Sequence, residues 1–226
     1  MSGRQEAAGA VGQGRRVGRR GLILILSSPS GAGKTSLTRA LREEKELGLE
    51  VSVSVTTRAK RPSEIAGRDY NFISVEDFMA MRDHDDLLEW AEVHGNYYGT
   101  PRRPVERALG AGTDMIFDID YQGTRQVRAT MGPDVVTVFI LPPSMAELKH
   151  RLERRAEDTR ETIEKRLGNA RVEIERWTEY DYVVVNEDLG ASFEGLKAIL
   201  FAERLKRERQ VGLPAFVDGL LAEKIA

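Results

Sequence analysis

The chain has 226 residues, enough to bury a core and to carry inserted lobes. Its formal net charge is -2, so no general attraction to nucleic acid or to an anionic membrane surface follows. It has no cysteine, which excludes disulfides, thiol nucleophiles and cysteine-held metal clusters, and fits a reducing cytoplasm.

In chain order, Met1–Arg20 is rich in Gly, Ala, Gln and Arg and lacks the apolar core of a secretory signal, so a disordered basic leader is expected over residues 1–20. A strand follows at Gly21–Ser27. Its apolar run, Leu22 to Leu26, is far too short to span a bilayer. Next come Ser28-Pro29-Ser30-Gly31-Ala32-Gly33-Lys34-Thr35 and then Ser36, with a helix predicted over Lys34–Glu46. Strand, small-residue loop and helix in that order make a phosphate-binding loop. The small residues let successive backbone N–H groups point at phosphate oxygens, and the helix N-terminus adds its partial positive charge. Lys34 would meet the terminal phosphates, and the Thr35 hydroxyl would be a ligand for Mg²⁺. One position departs from the pattern G-x-x-x-x-G-K-[ST], where Ser28 replaces the first Gly.

Further strands are predicted at Glu50–Val53, Thr113–Asp120, Val135–Leu141 and Tyr182–Val185. Helices are predicted at Gln122–Thr130, Ser144–Ala156, Thr159–Glu175 and Ala191–Glu208. This alternation specifies a parallel sheet with covering helices. Ser144-x-x-Glu147 reads as a capping box, and Asp158-x-x-Glu161 as a similar start. Ser54–Pro104 breaks the alternation. It holds most of the aromatics and short β-like runs, so an inserted lobe is expected there.

Within that lobe, Arg58, Lys60 and Arg61 follow a strand among hydroxyls, with Tyr70 and Tyr98 farther on. Arg, Tyr and Ser together suit a phosphate, because guanidinium forks bind its oxygens and a phenol adds a hydrogen bond. Beside a triphosphate loop, a second anion site points to phosphoryl transfer between two nucleotides. Asp118 and Asp120 alternate near the C-terminal end of their predicted strand, where ligands bind in open α/β sheets, although a pair of helix-capping carboxylates would read the same way. Arg151 and Arg155 are four apart, hence on one helix face, with Arg166 and Arg171 on the next helix. A solvated charged surface would look similar. His84, His94 and His150 are scattered and give no metal-ligand spacing.

These segments, with Thr56-Thr57-Arg58, Gly95-Asn96-Tyr97-Tyr98-Gly99-Thr100, Asp118-Ile119-Asp120-Tyr121-Gln122-Gly123, Leu141-Pro142-Pro143-Ser144 and Val185-Asn186-Glu187-Asp188, resemble the guanylate kinase family from about Gly21 to Glu208. The resemblance implies an α/β fold: a three-layer P-loop NTPase core with a parallel sheet, an inserted mixed β-rich GMP-binding lobe and a helical lid. It divides the chain into core (21–53, 105–143 and 176–209), lobe (54–104), lid (144–175) and a C-terminal tail (210–226). It implies transfer of the ATP γ-phosphoryl group to GMP or dGMP with Mg²⁺. Arg58, Arg61, Tyr70 and Tyr98 would hold the GMP phosphate, and Ser54, Glu89, Thr100 and Asp120 would surround the guanine. Lys34, Arg151, Arg155 and Arg166 would act on the transferring phosphate. Asp118 would reach Mg²⁺ through water, and Asn186 would lie near the adenine. Where the family has Arg-x-Pro-Arg-x-Gly-Glu, this chain reads Arg58-Ala59-Lys60-Arg61-Pro62-Ser63-Glu64, which keeps both arginines and changes the loop between them.

Glu89 has its own chemical rationale. Guanine presents N1–H and a 2-amino group on one edge, and one carboxylate accepts from both. Adenine offers a bare acceptor there, so the carboxylate would be left unpaired. Two other readings remain open: a catalytically inactive module that binds a protein, and a kinase for another nucleoside monophosphate or an unrelated P-loop nucleotidase.

Overall fold

The computed structural model describes residues 17–154 and 159–225. The first strand, β1 (Ile23–Ser27), is buried along its whole length, and its side chains alternate into two cores. Leu24 and Leu26 face Leu37 and Leu41 of α1 (Lys34–Glu43) and Leu196 and Leu200 of α7 (Leu189–Arg204). Ile23 and Ile25 face Val105 and Leu109 of α3 (Arg102–Gly110) and Val127 and Met131 of α4 (Tyr121–Met131). An apolar run in place of a polar–apolar alternation is what a strand covered on both faces requires. The result is a three-layer α/β core.

Its sheet has five parallel strands in the order β2-β7-β1-β8-β9, with β2 at Leu49–Val51, β7 at Asp114–Phe117, β8 at Val135–Leu141 and β9 at Tyr182–Val185. Strands β8 and β9 have the bounds their apolar runs predict. Strand β7 is shorter than expected: it ends at Phe117, and Asp120 is the N-cap of α4, its Oδ1 accepting from the Gly123 N–H at 2.9 Å. The alternating Asp118-Ile119-Asp120 therefore belongs to a loop and a cap, not to a strand.

The aromatic-rich segment forms a second, mixed sheet in the order β4-β3-β6-β5. Its strands are β3 (Val55–Thr56), β4 (Asn71–Phe72), β5 (Leu87–Val93) and β6 (Asn96–Pro101). A helix with no counterpart in the sequence reading, α2 (Val75–Asp83), packs on it through Phe78 against Val55 and Leu87. Ser74 caps α2 by accepting from the Asp77 N–H. Helix α3 was also unexpected. Pro104 marks its first turn, where a missing N–H costs nothing.

After β8, α5 (Met145–Glu153) and α6 (Arg160–Ile174) bury Leu148, Leu152, Ile163 and Ala170 between them. Ser144 caps α5 through the Glu147 N–H at 3.0 Å, while the Glu147 side chain pairs with Arg151. Thr159 caps α6, and Asp158, the expected start signal, lies outside the described residues.

Arginines on both flanks of the core are anchored to it. Arg19 and Arg204 both pair with the fully buried Asp114, whose Oδ1 also accepts from the Leu22 N–H, and Arg20 pairs with Asp134. Arg19 and Arg20, expected in the leader, are thus tied to the core, while residues 1–16 lie outside the described residues. The tail carries a short helix, α8 (Leu213–Ala222). Among the described residues no helix is long and apolar enough to cross a membrane.

Candidate active site

The loop between β1 and α1 turns on two glycines with positive φ, 95° at Gly31 and 106° at Gly33. Any other residue would be strained at these angles and would also collide. A Cβ at Gly33 would lie 2.2 Å from Asn186 Nδ2, and one at Gly31 would press on Leu148 and Leu152 of α5. The loop is closed by the Ala32 N–H donating to the Pro29 carbonyl at 3.2 Å, and Ser28 Oγ donates to the same carbonyl. Ser28 replaces glycine without distortion, because no positive φ is required there. Lys34, Thr35 and Ser36 form the first turn of α1.

Asn186 holds this loop from behind. Its Nδ2 donates to the Ala32 carbonyl at 2.8 Å, its Oδ1 accepts from Ser192 Oγ, and it is buried. The residue expected near adenine is therefore occupied, in this structure, with shaping the loop. Arg151 adds to the brace. It donates to the Asn186 carbonyl at 3.1 Å and pairs with Glu147, so its guanidinium ties α5 to the loop. Arg166 is half-buried on α6, and Arg155 lies outside the described residues.

Lys34 Nζ pairs with Asp118 Oδ1. Asp118 is exposed and stands between two clefts that both include it and Ile119 in their walls. One cleft, of about 300 Å³, is lined by Ser28, Lys34, Tyr121, Glu173, Arg176 and Tyr180 among others. The other, of about 450 Å³, is lined by Ser54, Glu64, Tyr70, Thr100 and Asp118 among others. Tyr121, Glu173, Arg176 and Tyr180 were not singled out from the sequence. The Arg176 guanidinium lies 4.0 Å from the Tyr121 ring centroid. Burial raises the Glu173 carboxyl above its ordinary range, against the opposing effect of the Ser30 N–H that it faces.

In the second sheet, Arg58 forms a bidentate pair with Glu64, at 2.6 Å and 3.2 Å, and lies over the Tyr70 and Phe72 rings. Glu64 also accepts from the Arg61 N–H at 2.7 Å and is held below the usual carboxylate range, first by Arg58. The Glu64 N–H returns to the Arg61 carbonyl at 3.1 Å, which closes a turn with Pro62 in its second position. Proline suits that position. The displaced proline therefore serves the loop of this chain, and the Arg61 side chain is left exposed. Tyr70 and Tyr98 meet edge to face at 6.0 Å, and burial raises the Tyr70 phenol.

Glu89 and Thr100 are buried together, with Thr100 Oγ1 donating to Glu89 Oε1 at 2.7 Å. The register of β5 against β6 shifts between Leu87 and Glu89. This irregularity sends Leu88 into the main core and sets Glu89 opposite Thr100. Burial pushes the Glu89 carboxyl up, Thr100 opposes the shift, and the negative charge of Asp120 adds to it. A carboxylate in that position is short of donors. Among the described residues no cluster of three or more His, Cys, Asp or Glu side chains could hold a metal by itself.

A doubly covered parallel sheet whose first strand runs into a glycine-turned Gly-Lys-Thr loop defines a phosphate-binding-loop α/β protein. The family profile described as guanylate kinase matches residues 20–203. A guanylate kinase of Rhizobium meliloti (strain 1021) is 60% identical over 208 residues, covering 92% of this chain and 94% of that protein. One of Chelativorans sp. (strain BNC1) is 61% identical over 206 residues, covering 91% and 94%. The crystal structure of guanylate kinase from Anaplasma phagocytophilum superposes with a TM-score of 0.68 at 38% identity, covering 92% of this chain and 99% of that one. The chain belongs to the guanylate kinase family.

Proposed function

We propose that this chain is an ATP:GMP phosphotransferase that passes the ATP γ-phosphoryl group to GMP or dGMP, giving ADP and GDP, and works in the cytoplasm as part of purine nucleotide metabolism. The observation that carries the reading is the pair of clefts meeting at Asp118, one under the phosphate loop and the other at Ser54, Tyr70 and Thr100. Donor and acceptor phosphates brought to a common wall are held as one reacting pair, which removes much of the entropic barrier.

In this reading the backbone N–H groups of Ser30 to Ser36 that face the loop hold the ATP phosphates, with Ser28 and Pro29 forming the loop's entry, and Lys34 leaves Asp118 to meet the transferring group. Arg58, Arg61, Tyr70 and Tyr98 clamp the GMP phosphate. Glu64 preorganises that clamp by fixing Arg58 before substrate arrives. Ser54, Glu89 and Thr100 recognise guanine, and Asp120 supports them from the cap of α4. Asn186 acts through the loop it braces. The helical pair of 144–175 closes over the site, bringing Arg155 and Arg166 to the charge that spreads over equatorial oxygens in the transition state. Arg151 follows from its brace behind the loop, and the lobe of 54–104 closes from the other side.

The donor set fits Mg²⁺. One hydroxyl, on Thr35, and one exposed carboxylate, on Asp118, are the small complement an ion needs when ATP phosphates and water supply the remaining ligands. When bound, the ion neutralises charge on the triphosphate.

Release of ADP from ATP, followed with each of GMP, AMP, CMP and UMP, tests the reading. GMP is expected to be strongly preferred, with Mg²⁺ required. Comparable turnover of AMP would contradict the guanine assignment, and no turnover with any of the four would favour an inactive binding module.

A further inference from the structure

Helix α4 does more than cover the sheet. Its side-chain amide at Gln126 pairs with both backbone groups of Trp90 on β5: the Trp90 N–H donates to Gln126 Oε1 at 3.0 Å, and Gln126 Nε2 donates to the Trp90 carbonyl at 3.1 Å. Strand β5 lies at the edge of its sheet, so without Gln126 these two groups would have no strand partner on that side. The amide serves as a one-residue strand.

The place of this pairing matters. Trp90 N–H belongs to the peptide unit that joins it to Glu89, so fixing that N–H fixes the plane that sets the direction of Glu89. The ladder is weakest at this point, because the register irregularity of β5 lies just before it. From the other side, Gly99 leaves room for the Glu89 carbonyl, which an added Cβ would approach to 2.9 Å. One turn before Gln126 on the same helix, Gly123 leaves room for Glu89 Oε2, since a Cβ there would come within 3.1 Å of it. One turn earlier again, Asp120 caps the helix and raises the Glu89 carboxyl. Asp120, Gly123 and Gln126, spaced by three, are thus directed at a single carboxylate and its backbone.

We propose that Gln126 is a positioning residue for base specificity: by pairing with Trp90 it locks Glu89 in the orientation that accepts from both guanine donors. The inference rests on Glu89 being the guanine acceptor. Inosine monophosphate is the informative probe, because it keeps N1–H and lacks the 2-amino group. A locked carboxylate exploits both donors and discriminates against inosine monophosphate; a loosened one re-aims at N1–H alone, and the two substrates converge.

The experiment compares kcat and KM for GMP and inosine monophosphate, and KM for ATP, in wild type and in Gln126→Met, Gln126→Glu and Glu89→Gln. Gln126→Met keeps the volume and loses both hydrogen bonds. It is expected to raise KM for GMP about tenfold, the equivalent of about one neutral hydrogen bond, and to narrow the GMP preference. Its kcat and its KM for ATP should remain near wild type. Gln126→Glu keeps an acceptor for Trp90 N–H but turns a second acceptor oxygen to the Trp90 carbonyl, so it should narrow the preference as well. A brace needed only for stability would lower the melting temperature and leave the GMP preference alone. If Glu89→Gln narrows the preference and neither Gln126 variant does, the positioning role is overturned. If Glu89→Gln itself leaves the preference intact, the guanine assignment fails and the inference falls with it.

Discussion

Replacing Lys34 with Met is expected to lower turnover by roughly a hundredfold or more, the scale of losing one preorganised charge donor to a transferring group. The loop would keep its shape. Its turn is closed by backbone bonds and by Asn186, and Lys34 contributes an ion pair with the exposed Asp118 that adds little to stability. The measurement is kcat at saturating ATP and GMP, with circular dichroism and thermal melting as the control for folding. Turnover close to wild type would show that Lys34 does not reach the phosphates.

Glu89→Gln is expected to raise KM for GMP about tenfold or more, since an amide offers one acceptor where the carboxylate offers two and turns a donor toward the base. The pH dependence has a definite sign. Protonation of Glu89 as pH falls removes an acceptor and weakens GMP binding. Because burial and the Asp120 charge raise this carboxyl, the weakening should begin above the ordinary carboxylate range. In Glu89→Gln that acidic limb of the GMP-binding profile should be absent. An acidic limb identical in both proteins would assign the titration to another group. The same burial makes the charged carboxylate a burden on the free fold. With its folded pKa raised, the stability Glu89 contributes is greatest at low pH and is lost as pH rises through that value.

The outline of the core was legible because a parallel strand buried on both faces leaves a nearly continuous apolar run, as in Val135–Leu141, and the edge strand Tyr182–Val185 keeps such a run although Val183 and Val185 are exposed. Asp118 to Asp120 misled because an extended N-cap continues the two-residue alternation of the strand before it. Helix α2 had a start signal in Ser74-Val75-Glu76-Asp77, but its neighbours are aromatic and short β-like runs, which hid it. Helix α3 was missed because it starts at Arg102, inside the end of the Ser54–Pro104 segment expected as a lobe, and its first turn tolerates Pro104. Of the candidate site, Gly31, Gly33 and Lys34 could be read because their spacing is local. The brace of Asn186 on Ala32 joins residues 154 apart, and that of Gln126 on Trp90 residues 36 apart. No local pattern records such pairings. Arg19 and Arg20 follow the same rule, since they look like part of a basic leader until Asp114 and Asp134 arrive beside them.

The central claim is that two nucleotides meet head to head at Asp118, with the donor phosphates on the loop and the acceptor phosphate at Arg58. Calorimetric titration with adenosine and guanosine joined 5′ to 5′ by five phosphates tests it most directly. Such a molecule fills both clefts at once, so its second half binds at a high effective concentration. It is expected to bind well over a hundredfold more tightly than either ATP or GMP alone. Lys34→Met and Arg58→Ala should each weaken it. Binding no tighter than one nucleotide, or weakened by only one of the two substitutions, would contradict the account.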